Sequence, residues 1–406
     1  MKKITVLLAA TLLISLTAAA QPAQPAEKPQ NEEGGFQFKT IKELPVTKVQ
    51  NQASSGTCWC FSTISFLESE MIRNGYKGDD LNLSEMFVIS HAYADKAVKY
   101  IRVDGNLNFA GGSSFGDVLT VYKTYGAVPE TYMPGLNYGE TRHVHGELDA
   151  VLKGYVSALL KNPNRKLSTA WKNGFQGILD AYLGEIPQQF EVNGTQYSPK
   201  TYAESLPINI DDYISITSWE YMPYYKEFPM EVADNWRWEL SYNVPLDEMI
   251  EIMYNAIDKG YTVAWASDVS EKGFTRNGIA TVPDMEALTP TGSDQARWIG
   301  LSPQEKEKEL AQKTKGPVKE KVITPELRQQ EYDSKLTTDD HGMHIYGIAE
   351  DQNGTKYFMV KNSWGEAGAY KGLWYVSEAF VRFKTMDILV HKDAIPKEIR
   401  KKLGIK

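Results

Sequence analysis

Cys58 has the sequence surroundings of a catalytic thiol. The chain contains two cysteines, Cys58 and Cys60. Turn-forming residues precede Cys58, and apolar residues recur after it at helical spacing, at Phe61, Ile64, Leu67 and Met71. Cys58 is therefore predicted to lie in the first turn of a helix, where free backbone N–H groups and the helix dipole lower the pKa of a thiol. Because the thiolate is the nucleophilic form, we predict that Cys58 is a nucleophile.

Gln52 and Cys60 lie on either side of this residue and have different predicted roles. The side-chain amide of Gln52 can fold back toward the sulfur of Cys58 and, together with the backbone N–H of Cys58, form a two-donor oxyanion hole. Cys60 points elsewhere on the same helix, and we interpret it as a small buried apolar residue. A disulfide between the two cysteines would be strained, because one residue separates them.

A cysteine nucleophile needs a base that accepts its proton, and the chain has six histidines. Two of them, His341 and His344, lie in a predicted strand, which is followed by a hairpin turn at Asn353-Gly354. The returning strand leads to Asn362, whose side-chain oxygen could orient an imidazole, and to Trp364, which could cover that hydrogen bond from water. His341 and His344 point to opposite faces of a strand, so the residues alone leave the choice of base open.

Three motifs resemble those of the papain superfamily, and most closely those of its bleomycin hydrolase and aminopeptidase C branch. They are the stretch from Gln52 to Phe61, His341-Gly342-Met343, and Asn362-Ser363-Trp364-Gly365. The resemblance implies that Cys58 is the nucleophile, His341 the base, Asn362 its orienter and Gln52 an oxyanion donor. The resemblance also implies that His344 takes no part in catalysis.

The resemblance also implies where a substrate binds. Gly111 and Gly112 resemble the glycine segment that lies beside the cleft in this family. Without a Cβ, their backbone can come close to an extended peptide and pair with it. Gly111, Gly112 and Trp364 are therefore the predicted substrate-binding residues.

The fold implied by the resemblance is α+β: a papain-like, two-lobed cysteine peptidase with a helical lobe and a β-rich lobe. His341 follows Cys58 by 283 residues, where simpler papain-like chains have about 130–150. We therefore expect a large, mostly helical insertion. The predicted helical lobe, with this insertion, spans residues 36–245. The predicted β-rich lobe spans residues 246–406 and includes a charged helical insertion at about 290–335.

The N-terminal residues have the pattern of an export signal. Two lysines, an apolar run and a small-residue site at Ala18-Ala19-Ala20 predict a signal peptide over residues 1–20, followed by a flexible lead-in over residues 21–35. The run is short and polar for a membrane anchor. We therefore expect a periplasmic or secreted protein that has no stable membrane insertion after signal cleavage.

Composition excludes several classes of function. The 44 basic and 52 acidic residues give a net charge of −8, which does not suit a nucleic-acid platform. Two cysteines cannot form a disulfide-stapled scaffold or a four-cysteine zinc site. We expect no metal and no cofactor.

The C-terminal tail departs from the resembling branch. That branch continues into an arm that enters the cleft and restricts it to substrate N-termini. Here the chain ends in a short basic segment, from Arg400 to Lys406. A basic tail would repel an α-ammonium group, so we expect the cleft to accept internal peptide bonds, with aminopeptidase action as the alternative. The family's closed hexamer is also in doubt, although a homo-oligomer is still compatible with the sequence.

Together these features predict a papain-like cysteine peptidase that hydrolyses peptide bonds in peptide or protein substrates through a thioester acyl-enzyme. One alternative is a cysteine acyltransferase that uses the same residues to pass the acyl group to an amine. The other is a catalytically inactive papain-like binding protein, which would have no need of Gln52, Cys58, His341 and Asn362 together.

Overall fold

The computed structural model describes residues 35–78, 81–290 and 295–406, without the side chain of residue 296. These residues belong to one compact unit, residues 31–406. The predicted signal peptide, and all but the last residue of the predicted lead-in, lie outside the described residues.

The described residues form thirteen α-helices and twelve β-strands. The helices are α1 (Cys58–Arg73), α2 (Glu85–Arg102), α3 (Phe115–Tyr125), α4 (Gly146–Leu160), α5 (Ala170–Leu183), α6 (Pro199–Ser205), α7 (Leu246–Lys259), α8 (Met285–Leu288), α9 (Gln295–Gly300), α10 (Pro303–Lys313), α11 (Pro325–Asp333), α12 (Glu378–Lys384) and α13 (Lys397–Leu403). The strands are β1 (Lys39–Glu43), β2 (Phe190–Val192), β3 (Thr195–Tyr197), β4 (Tyr213–Thr217), β5 (Glu227–Pro229), β6 (Leu240–Asn243), β7 (Val263–Ser267), β8 (Ile279–Ala280), β9 (His341–Glu350), β10 (Lys356–Lys361), β11 (Leu373–Ser377) and β12 (Thr385–His391).

Ten of the strands form one mixed sheet in the order β5-β6-β4-β12-β7-β9-β10-β11-β8, with β1 paired to β9. Strand β9 lies at the centre, between β7 and β10. β9 and β10 form the antiparallel hairpin that Asn353-Gly354 predicts, and Gly354 has the positive φ of 82° that such a turn favours. The hairpin returns the chain so that Asn362, directly after β10, lies near the start of β9.

Helix α1 packs directly on β9, and a glycine makes this contact possible. A Cβ at Gly342 would lie 2.7 Å from Ser62 Oγ and 3.2 Å from Trp59 Cα. Only a residue without a side chain lets the helix and the strand approach so closely. This contact brings the first turn of α1 against the first residues of β9.

Two large hydrophobic cores lie on the two sides of this junction. The first is mostly helical and contains Phe66, Phe87 and Leu152, and the second lies on the other face of the sheet and contains Trp265, Phe358 and Phe380. Helices α4 and α5 belong to the first core. The architecture is therefore α+β, and the predicted fold class is confirmed.

The sheet does not follow the predicted lobe boundary at residue 245. Strands β4, β5 and β6, and also β1, come before that residue in the chain, yet they belong to the same sheet as β9. Sheet membership depends on pairing between distant segments, which local sequence signals do not encode. The charged segment at about 290–335 contains helices α9, α10 and α11, of which α10 has no buried residue.

None of the helices in the described part of the chain is both long enough and apolar enough to cross a lipid bilayer.

Candidate active site

Cys58 is the first residue of α1, so the structure places its thiol at a helix N-terminus. Burial raises the pKa of this thiol to about 11, the backbone N–H groups of Gly342 and Trp59 lower it, and the carboxylates of Asp339 and Asp234 raise it. The helix end and the two N–H groups thus favour the thiolate, whereas burial and the nearby acids oppose it. In this arrangement Cys58 needs a base to lose its proton at neutral pH.

Cys60 points away from this site. Its Sγ lies 3.6 Å from the backbone carbonyl oxygen of Glu85, and the residue is fully buried in the helical core. Burial raises the pKa of the Cys60 thiol well above its ordinary value. The structure therefore places Cys60 as a buried packing residue.

His341 and Asn362 form a buried hydrogen-bonded pair. His341 Nε2 lies 2.7 Å from Asn362 Oδ1. The same Oδ1 accepts a hydrogen bond of 2.7 Å from the backbone N–H of Ser363, which identifies it as the oxygen of the amide. His341 Nε2 therefore carries the proton and donates a hydrogen bond to Asn362 Oδ1, which leaves Nδ1 as the basic nitrogen. Burial lowers the pKa of His341 to about 4, while the bond to Asn362 raises it.

His344 lies on the opposite face of β9, against helix α1. Its Nδ1 is 2.9 Å from Ser65 Oγ, and its ring contacts Phe66 edge-on. Burial lowers its pKa well below the ordinary value. The strand periodicity that separates the two histidines is thus present in the structure, and only His341 is placed with Asn362.

Gln52 is buried beside the same group of residues. Its Nε2 donates to the backbone carbonyl of Ser55 at 2.7 Å, and its Oε1 accepts a hydrogen bond of 2.6 Å from Ser363 Oγ. One of the two N–H bonds of the amide is therefore used within the loop, and the second is left for another acceptor. The backbone of Gln52 is also held, because its N–H donates to the carbonyl of Ser363 at 2.8 Å.

Trp364 stacks on His341, with ring centroids 4.8 Å apart and planes inclined by 28°. It also contacts Phe274 and Trp374 at the edge of the sheet core. Among the described residues, Trp364 does not line the cavity that holds Cys58. Its placement matches a cover over the His341–Asn362 pair rather than a wall of the substrate site.

Cys58, His341 and Gln52 line one cavity of about 820 Å³, and Gly111 and Gly112 line it as well. The carbonyl oxygen of Gly111 accepts a hydrogen bond of 3.0 Å from Trp59 Nε1. The carbonyl oxygen of Gly112 accepts one from Lys96 Nζ. Each glycine carbonyl therefore accepts one hydrogen bond within the protein. Because a carbonyl oxygen has two lone pairs, each can accept a second one from a peptide N–H group.

Several residues of the site were missed in the sequence. Ser363 forms hydrogen bonds with both Gln52 and Asn362. It lies inside the motif Asn362-Ser363-Trp364-Gly365, in which roles were predicted for Asn362 and Trp364 but not for Ser363. Three of the carboxylates that line the cavity, those of Asp234, Asp339 and Asp387, were also missed. Asp339 stands two residues before His341, which is a local signal that could have found it. Asp234 and Asp387 are far from the motifs in sequence and gave no such signal.

The residues that the structure describes contain no group of three or more histidine, cysteine, aspartate or glutamate side chains arranged to hold a metal ion.

Comparison with known proteins gives the family. The model of the Peptidase C1-like family matches residues 10–288 and 324–405. The chain belongs to the Peptidase C1-like family. The unmatched residues 289–323 contain α9 and α10, so this part of the charged segment has no counterpart in the family model.

Relatives of this Peptidase C1-like chain include aminopeptidases and a bleomycin hydrolase. Aminopeptidase G of Lactobacillus delbrueckii subsp. lactis is 22% identical over 399 residues, which cover 88% of this chain and 83% of the relative. Aminopeptidase C of Lactococcus lactis subsp. lactis is also 22% identical, with the same coverage. Bleomycin hydrolase of Gallus gallus is 21% identical and covers 86% of this chain and 81% of the relative. The chain is thus a papain-like cysteine peptidase, and the predicted family and enzyme class are confirmed.

A solved structure supports the fold. The crystal structure of PepW from Lactobacillus rhamnosis superposes with a TM-score of 0.66, at 19% identity, over 90% of this chain and 84% of that chain. The papain-like architecture of this Peptidase C1-like protein therefore extends over most of its length.

Proposed function

We propose that this peptidase hydrolyses peptide bonds with Cys58 as nucleophile, His341 as general base and acid, Asn362 as orienter of His341, and Gln52 as oxyanion donor. The observation that carries the proposal is the 2.7 Å bond between His341 Nε2 and Asn362 Oδ1, made by a histidine that lines the same cavity as Cys58. This bond occupies Nε2 of His341 and leaves its Nδ1 free to act as the base.

The reaction follows from the protonation states at the site. The Cys58 thiol gives its proton to His341 Nδ1 as the sulfur attacks the substrate carbonyl carbon, and a tetrahedral oxyanion forms. His341 then protonates the leaving amine, the C–N bond breaks, and a thioester remains on Cys58. Water attacks the thioester while His341 takes its proton, and the acid product leaves with the thiol restored.

Two donors stabilise the oxyanion in this scheme. The backbone N–H of Cys58 is at the first position of α1, where no intrahelical acceptor exists. The second N–H of Gln52 Nε2 is the other donor, because the first is bonded to Ser55. Such preorganised donors stabilise the transition state without reorganisation during the reaction.

The raised pKa of Cys58 and the lowered pKa of His341 favour a neutral pair in the enzyme without substrate. With values of about 11 and about 4, neither group ionises alone at neutral pH. Transfer of the proton from one to the other creates both charges together, and their attraction offsets part of the cost of burial. The thiolate is therefore formed as the reaction begins.

Covalent labelling of Cys58 tests this proposal. A peptidyl epoxide should label Cys58 in the wild-type protein and abolish hydrolysis, and the Cys58→Ala variant should be inactive. An active Cys58→Ala variant would overturn the proposal. The comparisons do not favour the acyltransferase or the inactive binding protein, and adding an amine acceptor to the assay separates hydrolysis from acyl transfer by their products.

A separate question is whether the enzyme needs a free N-terminus on its substrate. The names of the relatives, aminopeptidases G and C, support removal of N-terminal residues. The placement of α13 supports internal cleavage, because Ile399 and Leu403 pack into the sheet core and no described residue from 392 to 406 lines the cavity. One peptide, offered with a free and with an acetylated N-terminus, distinguishes them: similar rates mean internal cleavage, and loss of hydrolysis on acetylation means aminopeptidase action.

We also propose that the protein is exported to the periplasm or the medium and that it can form a homo-oligomer. The pattern of residues 1–20 supports export. N-terminal sequencing of protein recovered outside the cytoplasm tests it, with a new N-terminus at residue 21 as the expected result. Light scattering during size-exclusion chromatography measures the oligomeric state.

A further inference from the structure

The active-site cavity is strongly acidic. Among the described residues, seven carboxylates line it: Asp149, Asp211, Asp234, Glu239, Asp339, Asp340 and Asp387. In the same part of the chain, Lys123 is the sole lysine or arginine of the lining. Lys123 is already paired, since its Nζ lies 2.5 Å from Asp211 Oδ1. The described wall therefore holds many more acidic than basic side chains, and it has no lysine or arginine that is free of an acidic partner.

Asp339 and Asp387 have no basic partner. Asp387 accepts a hydrogen bond of 3.1 Å from Ser215 Oγ. The carboxylate of Asp339 makes no hydrogen bond or ion pair with the residues that the structure describes. Burial and the charges of Asp234, Asp387 and Asp340 raise the pKa of Asp339 well above its ordinary value, and burial raises that of Asp387 to about 6. Two carboxylates with no cation between them are unfavourable in an empty cavity.

Asp234 lies on the side of the cavity formed by the glycine segment. A Cβ at Gly112 would lie 1.9 Å from Asp234 Oδ2, so the carboxylate rests directly on this glycine. Asn108 Nδ2 donates to Asp234 at 3.3 Å. The charge of Lys96 acts against the burial that raises the pKa of Asp234, but Lys96 Nζ donates to the carbonyls of Ala110 and Gly112, so it offsets the negative charge of Asp234 only in part.

These acids lie close enough to the nucleophile to affect it. Asp339 and Asp234 both act electrostatically on Cys58 and disfavour its thiolate. A positive group of a bound substrate would offset both charges and would make the proton transfer from Cys58 to His341 easier. The acidic side chains thus disfavour the Cys58 thiolate in the free enzyme, and a bound cationic substrate removes much of this effect.

We propose that Asp339 and Asp387, with Asp234 on the facing side, make the enzyme select peptides that carry a positive charge on the acyl side of the cleaved bond. The inference rests on the proposed peptidase function and names its substrate class. The charge can come from two sources, the α-ammonium group of a free N-terminus or the side chain of a lysine or arginine. Both would make charge-assisted hydrogen bonds to the same carboxylates.

Four fluorogenic substrates with an uncharged aminocoumarin leaving group separate the two sources. Their acyl parts are lysyl-alanyl and norleucyl-alanyl, each with a free and with an acetylated N-terminus. A preference for acetylated lysyl over acetylated norleucyl substrate identifies the side chain as the source. A preference for free over acetylated norleucyl substrate identifies the α-ammonium group. We expect the wild-type enzyme to show at least one of these preferences as a ratio of roughly tenfold or more in kcat/KM.

The Asp339→Asn and Asp387→Asn variants should reduce that ratio toward one, because they keep the shape of the side chain and remove its charge. Asp211→Asn is the matched control, since it removes a lining carboxylate that is already paired with Lys123, and it should keep the wild-type ratio. Thermal melting of each variant checks that it is folded.

Equal rates of the wild-type enzyme on all four substrates would overturn the inference and leave the peptidase function standing. This measurement needs no variant, so a misfolded protein cannot obscure it. A ratio that survives both asparagine variants would also overturn the inference. Hydrolysis by Cys58→Ala would instead overturn the proposed function itself.

Discussion

Ser363 Oγ donates a hydrogen bond of 2.6 Å to Gln52 Oε1, although the two residues are 311 positions apart in the chain. The backbone N–H of the same serine donates to Asn362 Oδ1 at 2.7 Å. One residue thus holds both the amide of the proposed oxyanion donor, Gln52, and that of the proposed orienter, Asn362. We therefore propose Ser363 as a positioning residue that acts on the reaction through these two side chains.

Ser363→Ala should therefore lower kcat by roughly tenfold, less than the loss of an oxyanion donor itself. The serine hydroxyl aligns Gln52 but gives no proton to the substrate. Its loss should change kcat more than KM, whereas a general loss of structure would lower the melting temperature as well. Steady-state kinetics and thermal melting distinguish the two, and an unchanged kcat would show that the Gln52 loop is held without this bond.

Cys58→Ala should abolish hydrolysis with little loss of stability, because it removes a single sulfur atom at a partly exposed helix end. Cys60→Ala is the matched control: it removes the same atom from the same helix and should leave most of the activity. The reverse pattern, an inactive Cys60 variant and an active Cys58 variant, would show that the nucleophile is wrongly assigned.

His341→Ala should reduce kcat by several orders of magnitude, whereas His344→Ala should act mainly on stability, since His344 packs between Ser65 and Phe66. Asn362→Ala should reduce kcat less than His341→Ala does, because Asn362 orients the histidine and does not itself transfer the proton. Gln52→Ala should reduce kcat roughly 100–1000-fold, because it removes one of two oxyanion donors. Equal rate losses for the two histidine variants, at unchanged stability, would undo the assignment.

The pH dependence of Cys58 alkylation reports on its partner. Burial raises the pKa of this thiol to about 11. When His341 is replaced by alanine, no imidazole accepts the proton, so the rate of alkylation by iodoacetamide should rise only as the pH approaches that value. In the wild-type protein the proton can move to His341, and alkylation should already be fast near neutral pH. Superimposable profiles for the two proteins would mean that His341 does not activate the thiol.

Gly342→Ala should destabilise the protein by about 1–3 kcal/mol, since the new methyl group would press on Ser62 and on the backbone of Trp59. Gly177→Ala in α5 is the control. A Cβ there meets no atom within 4 Å, so this change should be neutral or stabilising by up to about 1 kcal/mol. Urea unfolding measures both, and equal stabilities would show that α1 and β9 are less closely packed than described.

The elements that carry the site could be read from the sequence because their signals are local. Helical spacing after Cys58 predicts α1, and the Asn353-Gly354 turn between two apolar runs predicts the β9–β10 hairpin. Both depend on residues a few positions apart, and the physical rules for helix starts and hairpin turns act over that range. The family motifs rest on the same short stretches.

The tertiary structure decided what depends on distant residues. Strand periodicity separates His341 from His344, but only the fold pairs His341 with Asn362 at the cavity of Cys58 and packs His344 against α1. The sheet includes strands from before the predicted boundary at residue 245, because pairing partners are chosen by the whole fold. The acidic wall is assembled in the same way: Asp234, Asp339 and Asp387 are far apart in sequence, and their charges meet only when the chain folds around the cavity.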